Sequence, residues 1–224
     1  MPLEAFGLVL GVMMSKPDFG WALQGSVAGD GDATSVTLTR QQIGDLIVLS
    51  GSIVACDPVV GPETGPFAFT VPPGRYPVLL CIAHFDSQKD QRVAAAIVRV
   101  AARPPIRWEL ALGRDLTDRA LRDDELVGYG VDSGIGCFMD SVAARAFVAL
   151  LDADADYAEE VSEELEEHYT DTWGWANIVA DTTSGANVIC FHSGWGDGFY
   201  ASYFGYDDAG AIVCLLTDFG VIAA

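Results

Sequence analysis

Between Asn187 and Phe219 the chain alternates apolar runs with breaks that no regular helix would cross. Gly194-Trp195-Gly196-Asp197-Gly198 is the first break and Asp207-Asp208-Ala209-Gly210 the second. Glycine reaches positive φ without steric penalty and aspartate bonds its own backbone in turns, so both segments specify reversals. The stretch therefore predicts strand, glycine-rich turn, strand, tight turn, strand. Aromatics, glycines and aspartates crowd together here, which makes it one half of a candidate site.

Earlier segments extend the β reading. Leu46 to Cys56 is rich in β-branched residues and stops at Asp57-Pro58. Phe67 to Val71 and Tyr76 to Phe85 flank Pro72-Pro73-Gly74-Arg75, where a fixed proline φ followed by glycine predicts a hairpin turn. Trp21 to Val27 and Ser35 to Thr39 alternate around Ala28-Gly29-Asp30-Gly31-Asp32 and predict another hairpin. Met1 to Met14 reads as a further strand, because Glu4 stands where a secretory signal needs positive charge and the run is too short to span a bilayer. Gln91 to Ala102 and Ile106 to Leu112 follow as strands, with helix the alternative for the alanine-rich Val93 to Val98. The central strands are expected at Leu46 to Cys56, Tyr76 to Ala83, Val188 to Phe191 and Ile212 to Leu216.

One helix is clear. After the strand and glycine turn of residues 129–137, Val142, Ala146 and Ala149 fall on one face, with Asp140 placed to cap the N-terminus. From Asp152 to Asp171 come ten carboxylates and no lysine or arginine, which predicts an acidic second helix or linker. Together these features predict an α+β chain: a mainly antiparallel, β-rich single domain with one or two helices inserted before the C-terminal strands. Residues 1–45 read as an N-terminal antiparallel unit packed on a main domain at 46–224.

Charge bounds the function. With 32 acidic and 12 basic side chains among 224 residues the formal net charge is -20, which repels phosphate backbones and disfavours nucleic-acid binding. Eight of the twelve cations lie between Lys89 and Arg122, either on solvated faces or as a patch for an anion or for the acidic part of the chain. Five scattered cysteines without a C-x-x-C pair read as reduced core thiols of a cytoplasmic protein with no membrane association.

Candidate chemistry is sparse. Asp152, Asp154, Asp156, Glu160 and Glu163 match a calcium-loop spacing in part, but Tyr157 stands where the loop needs glycine. Ser133 and Ser193 precede glycines without forming G-x-S-x-G, and His192 beside Ser193 would point to the opposite face of a strand. Cys137 with His84, His168 or His192 is a thiol-and-base alternative. Asp132, Asp140, Asp197, Asp207 and Asp218 sit at strand ends or turns. Of these, Asp132 and Asp197 are the candidates for acid/base work or for sharing a divalent metal, with Trp195 and Tyr200 shaping the pocket. No other cofactor is expected.

Several stretches resemble a bacterial family, domain of unknown function 4241. They are Ser50-Gly51 with Ala55-Cys56-Asp57-Pro58, Pro73-Gly74-Arg75-Tyr76-Pro77-Val78, Tyr129-Gly130-Val131-Asp132-Ser133-Gly134 with Cys137-Phe138 and Asp140, Ser193-Gly194-Trp195-Gly196-Asp197-Gly198, and Thr217-Asp218-Phe219. The resemblance runs from about Leu46 to the C-terminus and implies a bacterial cytoplasmic setting without carrying over a catalytic role. Two functional expectations follow. The first is an acidic module, immunity-type or regulatory, binding a basic protein through Glu159, Glu160, Glu163 and Glu164, with Trp195, Asp197 and Tyr200 as further contacts. The second is a hydrolase or transferase built on the turns at 131–137 and 193–200, with Asp132, Ser133, Cys137 and Asp197 as its candidate groups.

Overall fold

The computed structural model describes residues 17–24, 36–85, 89–117, 122, 125–154 and 156–222. In chain order these form α1 (Gly20–Gln24), β1 (Val36–Val48), β2 (Ile53–Cys56), β3 (Gly74–Phe85), β4 (Asp90–Arg99), β5 (Arg107–Leu110), β6 (Tyr129–Val131) and β7 (Ile135–Asp140). Then come α2 (Ser141–Ala153), α3 (Tyr157–Glu167), β8 (Trp175–Asp181), β9 (Ala186–His192), β10 (Gly198–Tyr206) and β11 (Ile212–Asp218). All strand pairs are antiparallel. One sheet has the order β1-β3-β4-β11-β10-β5, with β6 also on β10, and the other has the order β2-β7-β9-β8. The α+β, β-rich expectation holds.

Side-chain alternation divides the core into three layers. Leu46, Leu80, Val98 and Leu215 of the larger sheet meet Ile53, Phe138, Ile189 and Phe191 of the smaller one. The other face of the smaller sheet, including Val54, Met139 and Val188, lies under Ala143 and Phe147 of α2 and Val161 and Leu165 of α3. Outside the larger sheet, Leu38, Ala83, Ile97 and Leu216 cluster with Phe19 and Ala22 of the α1 segment. Strand β4 is apolar on both faces because it is covered on both, and its continuous Val93–Val98 run is a strand rather than the alternative helix.

Leu46 to Cys56 is not one strand. β1 ends at Val48 in the larger sheet and β2 begins at Ile53 in the smaller, so residues 49–52 carry the chain between layers. The bend is held from far away: Asp140 Oδ2 accepts from the Ser50 amide at 2.9 Å and the Ser50 hydroxyl at 2.8 Å. Gly51 takes φ +84°, and a Cβ there would stand 2.5 Å from the Val71 carbonyl oxygen.

Two predicted hairpins also fail. Residues 67–71 do not pair with β3. Instead Phe67, Ala68 and Val71 donate their amides to Ile53, Leu112 and Gly51, making a strap across other elements, while β3 pairs with β1 and β4. The described part of Trp21 to Val27 is the helical turn α1, pinned by Phe19 against Tyr203 and Trp108 at ring distances of 4.7 and 5.1 Å. The predicted strand at 1–14 and the turn at 28–32 lie outside the described residues.

The helix and its Asp140 cap are as expected, but the face it buries is that of Ala143 and Phe147, while Ala149 of the expected face is exposed. Asp140 Oδ1 accepts from the Val142 amide at 2.8 Å and caps α2. The acidic stretch is ordered for most of its length as α3. Among the described residues no helix is long and apolar enough to cross a membrane.

Candidate functional site

The two turns singled out by sequence meet. Val131 stands opposite Gly198 in the β6–β10 pair and Ile135 opposite His192 in the β7–β9 pair. The Ser193 amide donates to the Gly134 carbonyl at 3.0 Å, closing the junction. Asp132 and Asp197 are thus the first residues beyond one bridged pair, and both are exposed. Neither carboxylate takes part in an ion pair among the described residues.

The group that organises this junction is Asp57, which sequence reading treats only as a strand breaker. It is buried, and its Oδ1 accepts from the amides of Val59 and Val60 at 2.9 and 3.0 Å. Its Oδ2 accepts from those of Asp132 and Ser133 at 3.0 and 2.9 Å. Burial alone would push the carboxyl up, but the amides of Val60, Ser133 and Val59 together with the Ser133 hydroxyl outweigh it and hold Asp57 below its ordinary 3.8. Donors 75 and 76 residues downstream leave no local sequence signal.

Two further polar groups of the junction, the hydroxyls of Ser193 and Tyr200, are engaged in its own geometry. Ser193 donates its hydroxyl to the Gly196 carbonyl at 2.9 Å, and Tyr200 donates to the same oxygen at 2.7 Å. Gly194 takes φ +43° with the site of a Cβ only 2.8 Å from that of Phe219, so a side chain there would break the fit. Tyr200 is buried with its ring 4.9 Å from Phe219, as a staple rather than a pocket wall. Trp195 is 54% exposed but rests on the β3–β4 hairpin, its ring 5.7 Å from Phe85 and under the Arg92 guanidinium at 5.0 Å.

Among the described residues none of Ser133, Cys137 and Ser193 is hydrogen-bonded to a histidine. Cys137 is fully buried, and burial pushes its thiol well up. It lies in a row of three thiols on adjacent strands, opposite Cys56 and Cys190, with the Cys56 sulfur at 3.6 Å. His192 Nδ1 accepts from the Gly174 amide at 2.8 Å, and burial holds its pKa below 6.5. His84 bonds Thr39, and His168 stacks on Trp175 at 4.0 Å. Nor is any group of three or more His, Cys, Asp or Glu side chains among the described residues placed to hold a metal ion.

Asp154 and Asp156 of the partial calcium match flank the short α2–α3 connection as helix caps. Asp207 is buried, bonded to the amides of Ala209 and Ala211 and ion-paired with Arg103 at 2.9 Å. Asp218 accepts from the Gly220 amide while burial raises its pKa.

Helix α3 contrasts with all of this. Val161 and Leu165 are buried against the β8 layer, with Tyr157 edge-on to Phe147 at 5.8 Å. Its six glutamates are exposed, and none is ion-paired among the described residues. Glu160, Glu163, Glu164 and Glu167 line a groove of about 320 Å³ with Tyr157, Val161 and Ile178. Glu167 belongs to this face through the three- and four-residue spacing from Glu163 and Glu164, a signal legible in sequence, whereas Glu159 is exposed outside the groove lining.

The family model described as a protein of unknown function (DUF4241) matches residues 46–217. The chain belongs to this family. The matched span contains the 131–134 and 193–198 turns, Asp57, Asp140 and the whole of α3. No curated protein and no solved structure matches the chain.

Five arginines are engaged away from α3. Arg92 pairs with Asp90, Arg103 with Asp207 and Arg107 with Glu109, while Arg114 donates to the Ser52 hydroxyl and Arg99 to the carbonyls of Ala101 and Ala102. These basic side chains serve their own neighbourhood.

Proposed function

We propose that this protein is an acidic binding module, immunity-type or regulatory, that captures a basic protein partner in the bacterial cytoplasm through α3. One observation carries the reading: α3 keeps six glutamates exposed with no counter-charge among the described residues. Glu159/Glu163, Glu160/Glu164 and Glu163/Glu167 are like-charge pairs at four-residue spacing, each unfavourable by about 0.2–0.5 kcal/mol. The last turn has no basic residue to offset the negative helix end. A cationic partner relieves both repulsions, and a single-signed face accelerates encounter with it.

The test is association kinetics with the partner recovered by pulldown from the native cell. Reversing Glu159, Glu160, Glu163 and Glu164 to lysine is expected to slow capture at low salt by about tenfold or more and to reverse the sign of the salt dependence. An unchanged association rate at low salt overturns the reading.

A further inference from the structure

A second surface lies along α2 and reaches the start of α3 at Ala158. Residues 59–66 run beside α2 and leave a groove in two connected parts of about 360 and 700 Å³, which share Pro62, Glu63, Thr64 and Val148. Along α2 the lining residues are Ser141, Ala144, Arg145, Val148, Leu151 and Asp152, at three- and four-residue intervals. This stripe is distinct from Ala143 and Phe147, which are buried against the smaller sheet. The helix therefore carries two apolar faces and buries only one completely. Val54, Val59, Pro62 and Pro66 complete an apolar wall, and Val60 at the rim is 57% exposed.

The charges around this groove are unequal. Glu63, Asp152 and Asp154 stand on it against the single guanidinium of Arg145, and none of the four is ion-paired among the described residues. A second copy of a chain with net charge -20 would meet like charge here, and so would an anionic headgroup. From Ser141 to Asp152 the helix rises about 16 Å at 1.5 Å per residue, the length of about five residues of extended chain.

We infer that this groove receives an extended segment of the partner, about five residues long, in which apolar side chains alternate with lysine or arginine. The inference rests on the protein-binding reading above and deepens it: α3 steers the partner in, and the α2 groove holds it. Apolar side chains fill the wall formed by Val59, Pro62, Ala144, Val148 and Leu151. Basic side chains project to Glu63, Asp152 and Asp154, whose oxygens accept from ammonium or guanidinium donors.

The probe is an end-capped pentapeptide of alternating valine and lysine, titrated into the full-length protein and followed by backbone amide NMR, with a valine–glutamate twin as comparison. The lysine peptide is expected to move the amides of Val59, Glu63, Ala144 and Val148 in a saturable way, and the glutamate twin to leave them in place. Val148→Gln, an uncharged change at a half-buried helix position, is expected to weaken the lysine peptide tenfold or more with little change in melting temperature. Glu63→Gln with Asp154→Asn tests the charge independently and is expected to weaken it several-fold. Absence of shifts, equal shifts from both peptides, or shifts confined to α3 and β8 overturns the groove. The last result leaves the α3 reading standing, whereas saturable groove binding with an association rate indifferent to the α3 charges does the reverse.

Discussion

Asp57 and the glutamates of α3 carry the same functional group in opposite circumstances. Asp57 is buried and receives four backbone amides from two segments, so its charge is fully answered inside the fold. Glu160, Glu163, Glu164 and Glu167 line an open groove and receive nothing from the described residues. A carboxylate engaged by its own backbone has no capacity left for a partner, whereas one that repels its neighbours is stabilised by any cation that arrives. At the turn junction Asp57, Ser193 and Tyr200 are engaged by the fold itself, while Asp132 and Asp197 stand exposed. Among the described residues α3 holds the longest run of exposed carboxylates without an ion pair.

This contrast predicts a ranking of effects. Asp57→Ala strands four amides at once and is expected to cost about 3 kcal/mol or more in denaturant unfolding. A loss below about 1 kcal/mol would remove Asp57 from its organising role. Asp140→Ala removes the α2 cap and releases the Ser50 bend, and about 2 kcal/mol is expected by the same measurement.

His192 comes next. Its pKa is held below 6.5 by burial, against smaller raising effects of the Gly174 carbonyl, 3.3 Å from Nδ1, and of Glu166, so the unfolded chain takes up the proton more readily. Its contribution is therefore complete above pH 6.5 and is lost as pH falls through the lower folded value. Between about pH 7.5 and about pH 5.5 the melting temperature of the native protein should fall more than that of His192→Gln. Parallel curves would show that the ring does not contribute. The smallest effect belongs to α3: Glu160→Gln, Glu163→Gln and Glu164→Gln together should change stability by less than about 1 kcal/mol, and toward greater stability at low salt. Marked destabilisation would mean that these side chains hold the fold and would erase the contrast.

The sequence made the last three strands legible because their breaks are local: glycines and aspartates act on their own backbone at 194–198 and 207–210. The α2 helix was legible for the same reason, since Asp140 caps it from the adjacent position. The division of Leu46 to Cys56 was not, because the β-branched run is continuous and the device that bends it, Asp140 on Ser50, lies 90 residues away. Strand β8 carries no strong local signal, since it starts at Trp175 just after the acidic stretch, although Ala176, Ile178 and Ala180 alternate inward. At the candidate site, sequence correctly brought the 131–134 and 193–198 turns to notice. It could not show that Ser193 and Tyr200 both close on the Gly196 carbonyl, since that depends on how the turn folds back.

The passage of residues 49–52 from one sheet to the other bears on how the protein comes to exist at all. β2 leaves that bend to pair with β7, joining Cys56 to Cys137 across 81 residues, and the Ile47 amide bonds Asn187 across 140. Neither sheet can reach its final edge until chain made much later has arrived, which places folding in the slow, milliseconds-to-seconds range of strongly non-local β topologies. On the ribosome, an N-terminal fragment ending before β7 would hold β2 without its partner. Its apolar strands would wait exposed until the second half emerged, the interval in which this chain is most open to aggregation.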